Sequence, residues 1–169
     1  MAKDLRILLD ILGIKYKNYG LYLQAVTHPS YINETKANYD SYQRLEFVGD
    51  AVIQFLVTEY IYHNYDYMDE GDMTLFRSNL VREESLANAA RYIGLGDYIL
   101  LGVGEEKAKG NERTALLADV YEAFVAAVYL DGGIEATRNT LTYQFRAMVA
   151  REGLESYLEL KDNKTRLQE

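Results

Sequence analysis

The segment at residues 115–130 reads ALLADVYEAFVAAVYL, and it decides the fold class. Its only charged residues are Asp119 and Glu122. A helix that is apolar on nearly every side is buried by its neighbours, and residues three apart project from the same side of a helix. The segment therefore predicts a central, packed helix that carries two carboxylates on one face.

Helical spacing of apolar residues continues through the rest of the chain. It predicts helices over residues 5–12, 21–26, 41–62, 72–80, 83–93, 114–130 and 134–151, with a break at 131–133. We expect the helix before Pro29 to end there, because the residue preceding a proline is disfavoured in a helix. The polar segment 33–40 and the glycine-rich segment 94–113 are predicted to be loops. The predicted fold class is all-α, a helical bundle.

Composition excludes several classes of protein. The 169 residues are 49% hydrophobic, which is enough for one domain with a sizeable core. The chain has no cysteine and only two histidines, which excludes disulfide scaffolds, thiolate metal sites and cysteine catalysis. No segment approaches the roughly 20 apolar residues that span a bilayer, so we expect a cytoplasmic protein without a membrane partner.

A second acidic helix is predicted around the segment QRLEFVGDAVI, residues 43–53. Glu46 and Asp50 are four residues apart, so they share a face although like charges at this spacing repel. Gly49 lies between them and costs a helix about 1 kcal/mol relative to alanine. We therefore expect another element to approach the helix closely at Gly49.

The four acids need compensation, since unpaired carboxylates are costly to bury. A bound cation, ion pairs with arginines, or protonation with a raised pKa would each supply it. The arginines available as partners are Arg44, Arg77 and Arg113. An all-oxygen ligand set suits hard cations such as Mg²⁺ or Mn²⁺, and such cations allow an acidic protein with a net charge of −8 to bind a polyanion.

Five sequence blocks resemble the ribonuclease III family and occur in that family's order across about residues 1–150. They are THPSY at 27–31, QRLEFVGDAV at 43–52, LVREESLA at 80–87, GEEK at 104–107, and LADVYEA at 117–123 followed by YLDGG at 129–133. The resemblance implies an all-α endonuclease domain over residues 1–153 that forms a homodimer. It also implies cleavage of double-stranded RNA with Mg²⁺, for which Mn²⁺ substitutes, leaving 5′-phosphate and 3′-hydroxyl ends with short 3′ overhangs.

Carried over by position, the family's metal ligands correspond to Glu46, Asp50, Asp119 and Glu122, the same four acids that their spacing singles out. Asp50 and Glu122 are the residues expected to be catalytic. Phe47 matches a residue that packs across the family's dimer interface. A phenylalanine in the chain's own core is the other interpretation of this position.

Two features depart from the family's pattern. Gln43 stands where the signature usually begins with glutamate, at a position that the resemblance places near the substrate, together with Asp72. At the other end of the chain, KDNKTRLQE at 161–169 looks like the start of a double-stranded RNA-binding domain. We therefore expect residues 154–169 to be a linker and the first residues of such a domain, and a naturally short enzyme is the alternative.

The leading hypothesis is an endoribonuclease that hydrolyses double-stranded RNA by a metal-bound water, in the processing of ribosomal and messenger RNA precursors. A non-catalytic RNA-binding or scaffold protein on the same fold is the alternative, because a fold alone does not grant activity. His28, next to Pro29, is interpreted as a structural or capping residue in preference to a catalytic one.

Overall fold

The computed structural model describes residues 1–152 and Leu167 of the chain. Eight α-helices and two short 3₁₀ helices form the regular structure of this part. The α-helices are α1 (Leu5–Ile11), α2 (Tyr19–Ala25), α3 (Pro29–Thr35), α4 (Gln43–Asn64), α5 (Glu70–Val81), α6 (Glu83–Tyr92), α7 (Val103–Lys107) and α8 (Thr114–Glu152). The 3₁₀ helices are Leu95–Tyr98 and Gly110–Glu112. A single bridge between Thr27 and Leu100 is the extended pairing within the described residues, so the predicted all-α class is confirmed.

Helix α8 forms the centre of the bundle, and α4 and α6 make the most extensive contacts with it. Its first half is almost entirely buried, as its apolar sequence predicts. At Gly133 the backbone leaves the helical conformation, with φ 86° and ψ 179°, which only glycine adopts readily. The predicted break is therefore present. The buried Tyr121 hydroxyl donates to Gln144 across it at 2.5 Å and joins the two halves of α8.

Helices α4 and α8 touch through their backbones at Gly49. A Cβ atom at this position would lie 1.7 Å from the carbonyl oxygen of Glu122, a separation that no side chain tolerates. The close approach predicted at Gly49 is confirmed, and its partner is the second acidic helix. The glycine thus sets the distance between the two acid-bearing segments.

Two predicted loops contain helices. Pro29 does not simply end a helix but starts α3, because a proline needs no hydrogen-bond acceptor in the first turn. The ring nitrogen of His28 accepts from the Ser30 amide at 3.1 Å and caps α3, so the capping interpretation of His28 is confirmed. The segment 94–113 contains α7 and both 3₁₀ helices.

Helix α7 is held against α3 by two side chains of α3. Ser30 accepts a hydrogen bond from the Gly102 amide at 2.9 Å. Glu34 accepts one from the Val103 amide at 2.8 Å. These contacts fix the segment that precedes α8. Among the described residues, no helix is long and apolar enough to cross a membrane.

Candidate metal centre

Three carboxylates converge where α4 crosses α8. They belong to Glu46 of α4 and to Asp119 and Glu122 of α8, and one oxygen from each lies within 4.8 Å of the other two. All three side chains are partly buried. The i, i+3 spacing within α8 and the contact at Gly49 bring them together, so the convergence follows from features that the sequence displays.

Asp50, the fourth predicted acid, lies one turn after Glu46 and is exposed. It falls outside the group of three, but its carboxyl is in hydrogen-bonding contact with that of Glu122. Glu46 and Asp119 make the equivalent contact with each other. The four acids therefore form two carboxyl pairs, each with one member on α4 and one on α8.

Burial, with the repulsion of neighbouring carboxylates, raises the pKa values of Glu46, Asp119 and Glu122. The pKa of Glu122 is raised to about 8. Burial contributes most to this increase, the charge of Asp50 comes next, and the charges of Glu46 and Asp119 add to it. Burial and then Asp119 raise the pKa of Glu46 to about 7. Burial also raises the pKa of Asp119. Glu46 and Glu122 are thus partly protonated at neutral pH unless a cation neutralises them.

No arginine or lysine of the described residues forms an ion pair with any of the four acids. Arg113 pairs with Glu105 at 2.6 Å, and Arg77 donates to the hydroxyl of Thr58 at 3.0 Å. The ion-pair interpretation of the acids is therefore wrong for this part of the chain. The remaining donor set, several carboxylate oxygens on two rigid helices, fits a hard divalent cation.

Tyr42, which the charge and motif patterns of the sequence do not single out, lies beside these acids. It is the residue before α4, its ring is 5.9 Å from that of His28, and it is 6% exposed. Burial, then the charges of Asp119 and Glu46, raise its pKa to about 12. Its position four residues before Glu46, which gives both side chains the same direction, is the signal that would have found it.

Gln43 and Asp72 do not belong to the group of converging carboxylates. Gln43 is the exposed first residue of α4. Asp72 lies in the first turn of α5, where its amide donates to the capping carboxylate of Asp69 at 2.8 Å. The placement of these two residues near a substrate therefore stays a prediction.

Phe47 is 83% exposed, so the interpretation that it belongs to the chain's own core is wrong. It borders an open apolar groove of about 570 Å³. The groove is lined by Phe47, Val48, Asp50, Ala51, Val52, Phe55, Tyr129 and Ile134. Because Asp50 is among these residues, the acids lie at the edge of an exposed apolar face.

Comparison with known proteins assigns the family. The model of the family described as Ribonuclease-III-like matches residues 18–148. The chain is 40% identical over 169 residues to Ribonuclease 3 of Nitrosococcus oceani, covering all of this chain and 70% of that protein. It is 44% identical over 168 residues to Ribonuclease 3 of Dehalococcoides mccartyi, covering 98% of this chain and 70% of that protein. The chain belongs to the ribonuclease III family.

The fold agrees with this assignment. A structure of the nuclease domain of ribonuclease III from Campylobacter jejuni, in work on flexibility of its dimer-forming region, is 33% identical with a TM-score of 0.78. It covers 85% of this chain and 97% of that one. A crystal structure of the same domain gives 34% identity and a TM-score of 0.77, covering 86% and 95%. This chain is therefore a ribonuclease III endoribonuclease with the helical fold of the family's nuclease domain, and the resemblance drawn from its sequence blocks is confirmed.

Proposed function

We propose that this ribonuclease III cleaves double-stranded RNA by hydrolysis of phosphodiesters, with a divalent cation bound by Glu46, Asp50, Asp119 and Glu122. The convergence of Glu46, Asp119 and Glu122 without a cationic partner carries the proposal, and Asp50 adjoins this group through its contact with Glu122. The cation is Mg²⁺, for which Mn²⁺ substitutes, because an all-oxygen ligand set suits both. The products carry 5′-phosphate and 3′-hydroxyl ends with short 3′ overhangs, and the substrates are ribosomal and messenger RNA precursors.

The protein's own contribution to the mechanism is positioning. When bound, the cation would lower the pKa of a water and neutralise charge on the phosphoryl group. The acids of α4 and α8 would hold it in place, and the backbone contact at Gly49 keeps the two helices at a fixed separation. Asp50 and Glu122 are the acids whose loss we expect to affect the reaction most, since their carboxyls contact each other across the two helices.

A second copy of the chain completes the proposed enzyme. We assign the apolar groove beside Phe47 to the homodimer interface, and residues 1–153 to the catalytic domain. Gln43 and Asp72 are assigned to the surface that approaches the substrate. Residues 154–169, which resemble a linker and the start of an RNA-binding domain, lie outside the described residues except for Leu167.

Cleavage of a long, labelled RNA duplex at low salt tests the proposal. With Mg²⁺ or Mn²⁺ we expect discrete short duplex products on a denaturing gel, and none with a chelator. Glu122→Gln removes one ligand charge at nearly constant shape and should lower kcat about a hundred- to a thousandfold, the scale of losing a group that stabilises the transition state. Glu84→Gln, an exposed acid on α6, is the matched control and should cleave like the wild type.

The competing scaffold function makes the opposite predictions. A scaffold would show no cleavage and no gain in melting temperature on addition of Mg²⁺ or Mn²⁺. Glu122→Gln with wild-type kcat would overturn the role of this acid. A duplex cut equally well in the presence of chelator would overturn the role of the cation.

A further inference from the structure

Tyr42 combines a buried ring with a hydroxyl that has no partner. The ring packs beside His28, and only 6% of the residue is exposed. Its hydroxyl makes no hydrogen bond to the described residues. Every fully buried polar side-chain atom among these residues has a hydrogen-bond partner, so the Tyr42 hydroxyl is not fully buried. The hydroxyl of Tyr42 is therefore in contact with solvent, while the rest of the side chain is fixed in the protein.

Two other buried tyrosines of the chain use their hydroxyls to hold the fold. Tyr22 donates to Asp131 at 2.9 Å, and Tyr121 donates to Gln144. Such bonds are expected, because a buried tyrosine hydroxyl normally finds a partner within the protein. Tyr42 departs from this pattern, as Tyr98 does, but Tyr42 lies at the edge of the acid cluster.

The charged neighbours of Tyr42 include two of the proposed cation ligands. Asp119 and Glu46 act electrostatically on its phenol group, and so do Arg113 and Glu105, which form an ion pair with each other. Tyr42 also lies one helical turn before Glu46, whose amide donates to the Tyr42 carbonyl at 2.9 Å. A hydrogen-bond donor at this point lies next to the proposed cation ligands.

We propose that the Tyr42 hydroxyl donates a hydrogen bond to an oxygen of the RNA backbone beside the scissile phosphodiester and so positions the substrate over the acids. The inference rests on the proposed function. A neutral donor suits the position, because it attracts a phosphate or ribose oxygen without forming a competing ion pair with Glu46 or Asp119. The phenol keeps its proton at neutral pH, so it acts only as a donor there.

Tyr42→Phe tests the inference, because it removes the hydroxyl and keeps the ring. We expect an unchanged melting temperature, a KM for duplex RNA raised about five- to tenfold by the loss of one hydrogen bond, and a kcat within about twofold of the wild type, the pattern of lost ground-state binding. Duplex binding measured by fluorescence anisotropy in a Glu122→Gln background should weaken by the same factor. This second measurement does not depend on cleavage.

Tyr98→Phe is the matched control. Tyr98 is also 6% exposed and its hydroxyl is likewise without a partner among the described residues, but it belongs to the 3₁₀ helix Leu95–Tyr98 and not to an acid-bearing helix or the residue that begins one. The variant should bind and cleave RNA like the wild type. An equal loss of RNA binding in both variants would show a general effect of removing a tyrosine hydroxyl and would overturn the inference.

Duplexes with single 2′-deoxy substitutions around the cleavage site identify the acceptor. If one substitution weakens wild-type binding and abolishes the difference between wild type and Tyr42→Phe, the acceptor is that ribose hydroxyl. If the difference persists with every substitution, the acceptor is a phosphate oxygen. Either result supports the inference.

Tyr42→Phe with wild-type KM and binding, beside a wild type that cleaves, would overturn the role of Tyr42 alone. A fall in kcat at constant KM would overturn it as well, because the hydroxyl would then act on the acids and not on the RNA. A wild type that neither cleaves nor binds the duplex would overturn the proposed function and this inference together.

Discussion

Glu46 and Glu122 lie in surroundings that favour a protonated carboxyl group. The main cause is burial, and the neighbouring acids add to it. Since a raised pKa means that the folded state binds protons more tightly than the unfolded chain, each acid stabilises the fold at low pH. This contribution is complete below the ordinary pKa of about 4.3 and is lost as the pH rises through about 7 and 8.

The cation-free protein should therefore become less stable between pH 5 and pH 9. We expect Glu122→Gln, which resembles the protonated acid, to show a smaller decrease in melting temperature over this range than the wild type. Differential scanning calorimetry in the presence of chelator measures the melting temperatures of both proteins across this pH range. His28, whose pKa is lowered by burial, acts in the opposite direction but equally in both, so the comparison isolates Glu122. Parallel curves for the two proteins would contradict the assignment.

Gln43 is the second residue whose change has a clear expected result. It is exposed at the start of α4, where a carboxylate is favourable by a few tenths of a kcal/mol because of the helix dipole. Gln43→Glu should leave the melting temperature unchanged or slightly raised. If this residue approaches the substrate and its cations, the variant should reach half-maximal cleavage at a lower Mg²⁺ concentration, measured by titration. Gln54→Glu, on the same helix, is the control, and an identical titration for all three proteins would remove Gln43 from the site.

At the scale of elements, the crossing of α4 and α8 determines which acids meet. The spacing within each helix predicts which acids share a face. It does not predict that Glu46 pairs with Asp119 and Asp50 with Glu122, because those pairs depend on the angle and height at which the helices cross. Gly49 indicates the position of the crossing, but only the fold shows that Glu122 is the residue opposite.

Gly49→Ala tests the importance of this crossing. The added methyl group would meet the Glu122 backbone, so we expect a loss of about 3 kcal/mol in the free energy of unfolding from overpacking, which exceeds the gain of about 1 kcal/mol in helix propensity. Cleavage should fall in the fraction that remains folded, because the acids move apart. Urea denaturation and a cleavage assay measure the two effects.

Gly104→Ala is the control for this substitution. A Cβ atom at Gly104 meets nothing within 4 Å, and the residue lies in α7. The variant should be as stable as the wild type or slightly more stable. If Gly49→Ala behaved like Gly104→Ala, the close contact would not control the separation of the helices.

Helices α3 and α7, which are not predicted from the sequence, share a physical property. Neither α3 nor α7 contains a buried residue, so neither carries the apolar periodicity on which the prediction depends. They are held by polar contacts between segments far apart in the chain, such as Ser30 with Gly102. By contrast, the prediction of 41–62 lies within two residues of the observed α4 at each end, because that helix buries one face in the core.

At the scale of the whole molecule, one apolar face of the described chain remains uncovered. Phe47 and Phe55 are 83% and 56% exposed on the same helix. Exposed apolar patches of this kind mark interaction surfaces. A second copy of the chain, placed on this face, would also cover the side of the molecule on which Asp50 lies.

Phe47→Asp should therefore dissociate the proposed dimer. In sedimentation equilibrium we expect the wild type at twice the chain mass of 19.4 kDa and the variant at the mass of one chain, with an unchanged helical signal in circular dichroism. Tyr62→Asp replaces another aromatic residue of α4 that is 68% exposed but does not line the groove, and it should remain dimeric. A wild type at the mass of one chain would contradict the proposed interface.

Three of the four consecutive residues from Phe47 to Asp50 face different neighbours within one helical turn. Phe47 faces outward to the groove, Gly49 contacts α8, and Asp50 reaches Glu122. A helix turns by about 100° per residue, so a one-residue insertion or deletion here would rotate every later residue of α4 away from its partner. The length of this part of the gene is therefore constrained as well as its codons, and in-frame indels placed along α4 should be tolerated least at these positions.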